Sequence, residues 1–323
     1  MNTHAESIST TTPFGEGEVN SVSQPLFSVR IDAATGFAAD RINPIKHNLH
    51  QHPLLQLPRL AKLAHDLMPT KQCRFIRPGI TTQTSEFVHT PKTPNGRSIG
   101  DVFAHIDEPG TWLALYNIQT DPEYRALIDE VIENVRPHIE ASQPGVRDAV
   151  GYIFMAAPPS VTPFHIDSEN NFLMQIHGNK RVTLFDHTDR EVVPATAVED
   201  FIVDRSLKKV RLKPELRSHG RDFDVGPGEG VYFPSPTPHV TETFTDWVRP
   251  GNGVSMSLAV VFYTSVTQRH ARAHQCNRVL RRAGLNPSFP GQSPWRDQVK
   301  AGVGSVVAKA RVRFRDYVLP PGH

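Results

Sequence analysis

The stretch from Ala149 to Ser265 is divided by glycine, asparagine and proline into short runs that are rich in apolar and β-branched residues. Short runs of this kind, separated by turn residues, are typical of strands in antiparallel sheets. The candidate strands are Ala149–Pro158, Thr162–His165, Phe172–His177, Arg181–Phe185, Val225–Pro234 and Val254–Ser265. This pattern predicts an antiparallel β-barrel or a double-sheet jelly roll, whereas Asp200–Leu212 favours neither helix nor strand.

Helical patterns flank the predicted barrel on both sides. Leu57–Met68 and Pro122–Ala141 carry apolar residues at helical spacing, and Asp121 is a suitable cap before Pro122. From Gln268 the chain becomes helical and basic. We therefore predict a flexible leader at residues 1–24, a barrel with an N-terminal α/β elaboration at 25–267, and a basic helical region at 268–323.

The composition excludes several classes of protein. The 323 residues carry a net charge of only +2, which gives no global electrostatic reason to expect a nucleic-acid partner. The two cysteines, Cys73 and Cys276, are too few for a disulfide framework, and this fits a reducing cytoplasm. The first residues lack the order of a signal peptide, and the longest apolar stretch, Val254–Tyr263, is too short to span a bilayer.

A metal site is predicted by three residues. His165 and Asp167 are two residues apart in the extended segment V-T-P-F-H-I-D, so their side chains lie on one face. His239, in G-P-G-E-G-V-Y-F-P-S-P-T-P-H-V, supplies a third ligand. Two histidines and one carboxylate, with the remaining metal positions open, form the facial triad of non-haem Fe(II) oxygenases. An isolated H-x-D is weak evidence, and a hydrogen-bonded pair at a strand end is the alternative.

Through these residues the sequence resembles the JmjC-type, cupin-fold 2-oxoglutarate oxygenases. It is most similar to the branch that contains the asparaginyl hydroxylase called factor inhibiting HIF. The resemblance is carried by Thr162–Phe185 and Gly226–His239. It implies a mainly β fold, a double-stranded β-helix with N-terminal helical decoration and C-terminal helices. It also implies Fe(II), 2-oxoglutarate and O2, and hydroxylation of a protein or peptide side chain or of a small amino-acid-like metabolite.

The resemblance also implies a set of residues for the co-substrate. Lys180 matches the lysine that pairs with the distal carboxylate of 2-oxoglutarate, and Thr162 matches a threonine that donates its hydroxyl to the same carboxylate. Asn171 resembles an asparagine near the metal and the other end of the co-substrate. Tyr116 corresponds to a tyrosine whose hydroxyl reaches the distal carboxylate. The alternatives are a solvent-exposed turn lysine for Lys180 and a tyrosine that anchors a strand to the core for Tyr116.

The sequence departs from the family at two places. Pro236-Thr237-Pro238 replaces the bulky aromatic residues that often precede the distal histidine, which should reshape the pocket beside the metal. The last predicted strand lacks an asparagine that the branch carries near the co-substrate, and either Ser255 or Ser257 substitutes for it or no residue does. The substrate preference of the family therefore does not transfer. Asp167, which an iron halogenase would lack, favours hydroxylation.

Two other classes of function remain open. The first is a cupin metalloenzyme of another reaction class, such as an isomerase or a cysteine-type dioxygenase, although these have no use for Lys180 and Thr162 together. The second is a non-catalytic metal-binding module, which loss of a triad residue would have favoured.

Other histidines and arginines have simpler interpretations. His47, His50 and His52 are interpreted as a polar loop, because neither carboxylate nor cysteine accompanies them. His270 and His274 have metal-ligand spacing on a helix, but neighbouring arginines would repel a cation. The basic C-terminal region is either a surface for an acidic partner or a nucleic acid, or a helical elaboration that packs on the barrel or forms a homodimer contact, and we favour the elaboration.

Overall fold

The computed structural model describes residues 27–31, 36–76, 82–85, 88–247 and 253–318, with the backbone alone for 310–318. The predicted flexible leader, residues 1–24, lies outside the described residues. The strands are β1 (Val29–Arg30), β2 (Asn43–His47), β3 (Cys73–Ile76), β4 (His89–Thr90), β5 (Trp112–Leu115), β6 (Arg147–Ala156), β7 (Ser160–His165), β8 (Asn170–His177), β9 (Lys180–Leu184), β10 (Arg221–Val225), β11 (Glu229–Phe233), β12 (His239–Thr243) and β13 (Ser255–Tyr263). The α-helices are α1 (Leu57–Leu67), α2 (Ile99–Ala104), α3 (Pro122–Glu140), α4 (Ala195–Asp204), α5 (Ser265–Arg282) and α6 (Pro294–Val318).

Two antiparallel sheets form the body of the protein. The larger sheet has the order β1-β2-β11-β8-β13-β6-β5-β3-β4, and the smaller has the order β10-β9-β12-β7. The eight strands from β6 to β13 contribute four strands to each sheet, so the chain crosses repeatedly between them. This is the double-stranded β-helix, and the predicted mainly β class with flanking helices is confirmed.

The alternation of side chains along the strands divides the core into layers. Inward-facing residues of both sheets pack together inside the barrel, among them Leu173, Val182, Val231, Phe233 and Val261. The opposite face of the large sheet packs against the N-terminal helices through a second and larger cluster. The interior of the barrel is therefore apolar wherever it is not occupied by the polar residues described below.

The two N-terminal helices confirm the prediction from apolar spacing. α1 buries Leu60, Leu63 and Leu67 on one face. At the start of α3, the Asp121 side chain accepts hydrogen bonds from the backbone N–H groups of Glu123 and Tyr124, as its position before Pro122 predicts. These helices pack on the sheet face that points away from the barrel interior.

Some boundaries differ from the sequence prediction. The sequence pattern predicts one strand over Val225–Pro234, but the chain turns at 226–228, where Gly228 adopts a φ of +88°, and this turn separates β10 from β11. Asp200–Leu212 contains the end of α4 and an irregular segment. His47 is not in a polar loop: it ends β2 as a buried residue, and its Nε2 lies 3.2 Å from the Glu229 carbonyl oxygen.

The basic C-terminal helices α5 and α6 pack on each other. α5 contacts α4, whose acidic residues pair with the arginines of α5. Arg281 Nε lies 2.9 Å from Glu199 Oε1, and Arg278 pairs with Asp200 and Asp204. Part of the positive charge is thus neutralised within the fold, which supports the interpretation as a packed elaboration. The predicted domain boundary after residue 267 falls in the first turn of α5, and the division into domains stays a prediction.

No helix in the described part of the chain combines the length and apolarity that crossing a membrane requires.

Candidate metal centre and co-substrate cavity

The three predicted metal ligands converge at one end of the barrel. His165 ends β7, His239 begins β12, and the two residues are direct partners in the ladder between these strands. Their rings lie 4.0 Å apart between centroids, and His239 Nε2 lies 3.6 Å from Asp167 Oδ2. One ligand atom from each of the three residues lies within 4.8 Å of the others. Among the described residues this is the one cluster of histidines, cysteines and carboxylates with such geometry.

Backbone carbonyls fix the orientation of both imidazoles. His165 Nδ1 lies 2.7 Å from the Pro163 oxygen, and His239 Nδ1 lies 3.0 Å from the Thr237 oxygen. Because a carbonyl oxygen only accepts, Nδ1 carries the hydrogen in each ring and the lone pair is on Nε2. This is the arrangement by which outer hydrogen bonds orient histidine ligands of metals.

The charge states of the cluster suit a divalent cation. Burial lowers the pKa of His239 well below its ordinary value, and the nearby His165 lowers it further, so the imidazole is neutral and able to bind metal. Burial raises the pKa of Asp167, while His165 and Arg205 oppose this shift. The Asp167 side chain keeps 34% of its surface accessible, and it lines the cavity described next. A carboxylate and two imidazoles are a suitable donor set for Fe(II).

All seven predicted site residues line one cavity of about 90 Å³ inside the barrel. They are Tyr116, Thr162, His165, Asp167, Asn171, Lys180 and His239. The sequence prediction did not include the other residues that line the cavity, which are Tyr152, Phe154, Leu173, Phe233 and Thr241. The structure thus brings the predicted set together, and their individual roles stay proposals.

Lys180 is the most informative of these residues. It is the first residue of β9, after a two-residue connection in which Gly178 has a φ of +60°. A side chain at Gly178 would also clash, because a Cβ there would lie 2.4 Å from the Val254 carbonyl oxygen. Lys180 is not the exposed turn lysine of the alternative interpretation, because it is only 4% exposed. Burial lowers its pKa to about 7. No described residue forms an ion pair or hydrogen bond with its amine.

Thr162 and Asn171 also present polar atoms to the cavity. Thr162 Oγ1 accepts the indole N–H of Trp112 at 3.1 Å, which leaves its own hydroxyl hydrogen to donate elsewhere. Asn171 Oδ1 is buried and has no hydrogen-bond partner among the described residues. Buried polar atoms normally have a partner, so this oxygen is positioned to accept a hydrogen bond from a molecule bound in the cavity.

Tyr116 lies at the cavity and packs on aromatic neighbours at the same time. It follows β5 directly, and its ring centroid is 5.0 Å from that of Tyr152. Burial raises the pKa of its hydroxyl, and the negative charge of Asp167 adds to this effect. Both interpretations of Tyr116, as a cavity residue and as a core anchor, are therefore compatible with its position.

The two departures from the family have structural consequences. Thr237 is buried, its hydroxyl donates to the Pro234 oxygen at 2.5 Å, and its carbonyl accepts from His239 Nδ1. The Pro-Thr-Pro segment therefore orients the distal histidine. Ser255 and Ser257 do not replace the missing asparagine, because both hydroxyls are hydrogen-bonded to Gln175 and neither residue lines the cavity.

Alternation along the strands would have found some of the missed residues. Trp112 is on the same face of its strand as Ala114 and Tyr116, and Tyr152 and Phe154 share a face of β6. The hydrogen bond from Trp112 to Thr162 joins the large sheet to the small one, and no local sequence pattern indicates it.

Comparison with known proteins places the chain in a family. Residues 82–267, more than half of the chain, match the profile described as "Cupin-like domain". The chain belongs to the cupin-like domain family. The wider resemblance to JmjC-type cupin proteins is thereby confirmed, whereas the closer placement with the factor-inhibiting-HIF branch stays a prediction. Among curated proteins, no significant match to this cupin-like protein is found.

Solved structures with similar topology are distant in sequence. The Escherichia coli ribosomal oxygenase YcfD is 13% identical, with 86% of this cupin-like protein and 67% of that chain covered and a TM-score of 0.45. YcfD in complex with cobalt and 2-oxoglutarate is 14% identical, with 91% of this cupin-like protein and 69% of that chain covered and a TM-score of 0.43. The DMSP lyase DddQ from Ruegeria pomeroyi DSS-3 is 16% identical, with coverages of 36% and 38% and a TM-score of 0.22.

Proposed function

We propose that this protein is an Fe(II)- and 2-oxoglutarate-dependent oxygenase that hydroxylates a protein or peptide side chain or a small amino-acid-like metabolite. The observation that carries the proposal is the cavity itself. It holds three metal-ligand atoms within 4.8 Å of one another and, in the same enclosed space, a buried lysine without a partner among the described residues. Iron with 2-oxoglutarate and O2 supplies oxidative hydroxylation of a C–H bond, with succinate and CO2 as by-products.

Each side chain has a defined task in this proposal. His165, Asp167 and His239 would hold the metal. The ammonium of Lys180 offsets the charge of the distal carboxylate of 2-oxoglutarate, because a carboxylate is costly to bury without a cation.

Two further polar groups complete the contacts to the co-substrate. The Thr162 hydroxyl and the Tyr116 hydroxyl donate to the same distal carboxylate, and Asn171 contacts the opposite end of the molecule. The apolar side chains of Phe154 and Phe233 exclude water from the cavity.

The alternative classes of function fit the site less well. Cupin metalloenzymes of other reaction classes usually bind their metal through a third histidine. No further histidine of the described chain joins the cluster of His165, Asp167 and His239. A non-catalytic module would need neither the buried lysine nor the unpartnered Asn171 oxygen beside the metal ligands.

A cytoplasmic location is also part of the proposal. The free cysteines Cys73 and Cys276 support it, because thiols stay reduced in that compartment.

Succinate release tests the proposed function. The protein with Fe(II), 2-oxoglutarate and O2 is expected to form succinate when it is incubated with a panel of peptides and free amino acids. The product mass should increase by one oxygen for hydroxylation, whereas loss of a methyl group would mark demethylation. The control omits Fe(II). The proposal fails if no succinate forms above that control and if no metal-to-ligand charge-transfer band arises without O2.

A homodimer through the C-terminal helices is the oligomeric state that we propose. Trp295, Val299, Val303 and Val306 follow one another at three- and four-residue spacing on α6 and are 51–69% exposed. An apolar stripe of this kind on a helix is usually covered by another surface. The stripe therefore suits a second copy of the same helix.

Val303→Asp is expected to convert this dimer to a monomer, because it places a charge in the centre of the stripe. Light scattering coupled to size-exclusion chromatography measures the change. Gln298→Asp, an exposed position of the same helix that is not in the stripe, is the matched control. A wild-type chain that is monomeric at micromolar concentration would contradict the proposed dimer.

A further inference from the structure

A second cavity, of about 510 Å³, lies outside the barrel, between the α5–α6 region and the loop that carries Asp167. Its volume is within the range of roughly 300–1,000 Å³ that small-molecule sites occupy. None of the three metal ligands lines it, but Ser168, Asn170 and Ser235 do. Ser235 donates from its hydroxyl to the Asp167 carbonyl oxygen at 3.2 Å and from its backbone N–H to Asn170 Oδ1 at 3.0 Å. The cavity is thus on the reverse side of the metal-ligand loop.

Three buried polar atoms of residues that line this cavity have no partner among the described residues. They are Asp297 Oδ1, His274 Nδ1 and Arg269 Nε. Asp297 is only 1% exposed and His274 only 3%. Burying a donor or acceptor without a partner is unfavourable, so three of them in one cavity indicate a polar occupant.

The carboxylate of Asp297 forms no ion pair with a described residue, although its charge opposes the lowering of the pKa of Lys300 and of His270 by burial. Its Oδ2 accepts the Gly291 N–H at 2.8 Å, but no described cation lies within ion-pair distance of it. Lys300, less than one turn further along α6, instead donates to the Ser288 carbonyl and hydroxyl oxygens at 2.7 and 2.9 Å. A bound cationic group would therefore supply the ion pair that Asp297 lacks among the described residues.

Arg269 supplies the opposite charge. It forms no ion pair or hydrogen bond through its side chain with any described residue. The other arginine of the cavity, Arg190, differs, because its guanidinium nitrogens already donate to the carbonyl oxygens of Thr188, Val193 and His187. Burial lowers the pKa of His270 to about 4 and that of His274 to about 3, so both are neutral polar groups at pH 7. One free cation and one free anion face the same space.

We infer that this cavity binds a small zwitterion of the free α-amino-acid class, with its ammonium group at Asp297 and its carboxylate at Arg269. A purely anionic ligand would be repelled by Asp297, and a metal cation would be repelled by Arg269. A zwitterion pairs both charges at once and lets a neutral His274 form a hydrogen bond. The site is independent of the co-substrate cavity and does not depend on turnover.

Binding of the twenty proteinogenic L-amino acids to the full chain, without added metal or 2-oxoglutarate, tests the inference. At least one of them, at millimolar concentration, is expected to raise Tm and to give saturable heat in calorimetry. The N-acetyl and carboxamide derivatives of that amino acid each lack one charge, and each is expected to bind at least tenfold more weakly. If no amino acid binds, the inference is wrong.

Variants assign the binding to this cavity. Asp297→Asn keeps an acceptor for the Gly291 N–H, and Arg269→Gln breaks no hydrogen bond among the described residues, so both should fold. Each is expected to weaken binding at least tenfold, whereas the exposed controls Glu191→Gln and Arg272→Gln should have no effect.

Lys180→Ala separates this inference from the proposed oxygenase function. It alters only the barrel cavity and should leave amino-acid binding intact. Binding that survives in both Asp297→Asn and Arg269→Gln, or that is lost in Lys180→Ala, would overturn the assignment.

Discussion

Asp167→Ala is expected to abolish iron binding and succinate formation while the chain still folds. Loss of residues that only support metal ligands typically lowers affinity or activity 10- to 100-fold, so loss of a direct ligand should exceed about 100-fold. The two histidines that remain would be too few to hold Fe(II) against dissociation. Metal content after dialysis and succinate release measure the two losses.

The stability of the Asp167→Ala chain distinguishes loss of a ligand from loss of the fold. Burial raises the pKa of Asp167, so the ionised form is disfavoured in the folded state relative to the unfolded one. A carboxyl group whose pKa is raised by folding lowers stability above its unfolded pKa, near pH 4. Removing it should therefore leave Tm of the metal-free chain at neutral pH unchanged or higher.

Asp129→Ala is the matched control, because Asp129 is exposed on α3, away from the cavity. It should retain iron and activity. An Asp167→Ala chain that binds iron as tightly as the wild type would show that the carboxylate is not a ligand.

The triad could be predicted from the sequence only in part. The spacing of His165 and Asp167 places them together on any extended segment, because strand periodicity is local. His239 lies 74 positions after His165 in the sequence. No local pattern sets the strand register that makes His239 the ladder partner of His165. The resemblance to a family supplied that information, and the structure gives its physical form.

The burial of Lys180 illustrates a different limit of sequence reasoning. A lysine that follows a glycine–asparagine turn is usually exposed, and local composition favours that interpretation. Its burial instead depends on β10, which pairs with β9 so that Val225 lies opposite Lys180, and on the closure of the barrel around the side chain. The strand pairing and the closure of the barrel are both products of tertiary packing.

The cavity beside α5 and α6 is likewise a product of tertiary packing, since it requires α5 and α6 to fold back towards the β7–β8 loop.

Lys180→Ala is expected to weaken the binding of 2-oxoglutarate without removing the metal. Truncating one member of a buried, charged pair typically costs about 2–5 kcal/mol, which corresponds to a rise in Kd of roughly 30-fold to several thousand-fold. An anaerobic titration with Fe(II) measures it through the metal-to-ligand charge-transfer band. Lys46→Ala is the matched control, since Lys46 is an exposed lysine on β2. An unchanged Kd in Lys180→Ala would refute the role of this amine.

The pH dependence of binding tests the same amine in the wild-type chain. Burial lowers the pKa of Lys180 to about 7, whereas an unfolded lysine titrates near pH 10.4. Below about pH 7 the free protein already carries the ammonium that a carboxylate requires. Above this pH, binding must take up a proton, so the Kd of 2-oxoglutarate should rise up to tenfold per pH unit until the pKa of the complex is reached. Lys180→Ala should lose this dependence, because the group that takes up the proton is absent.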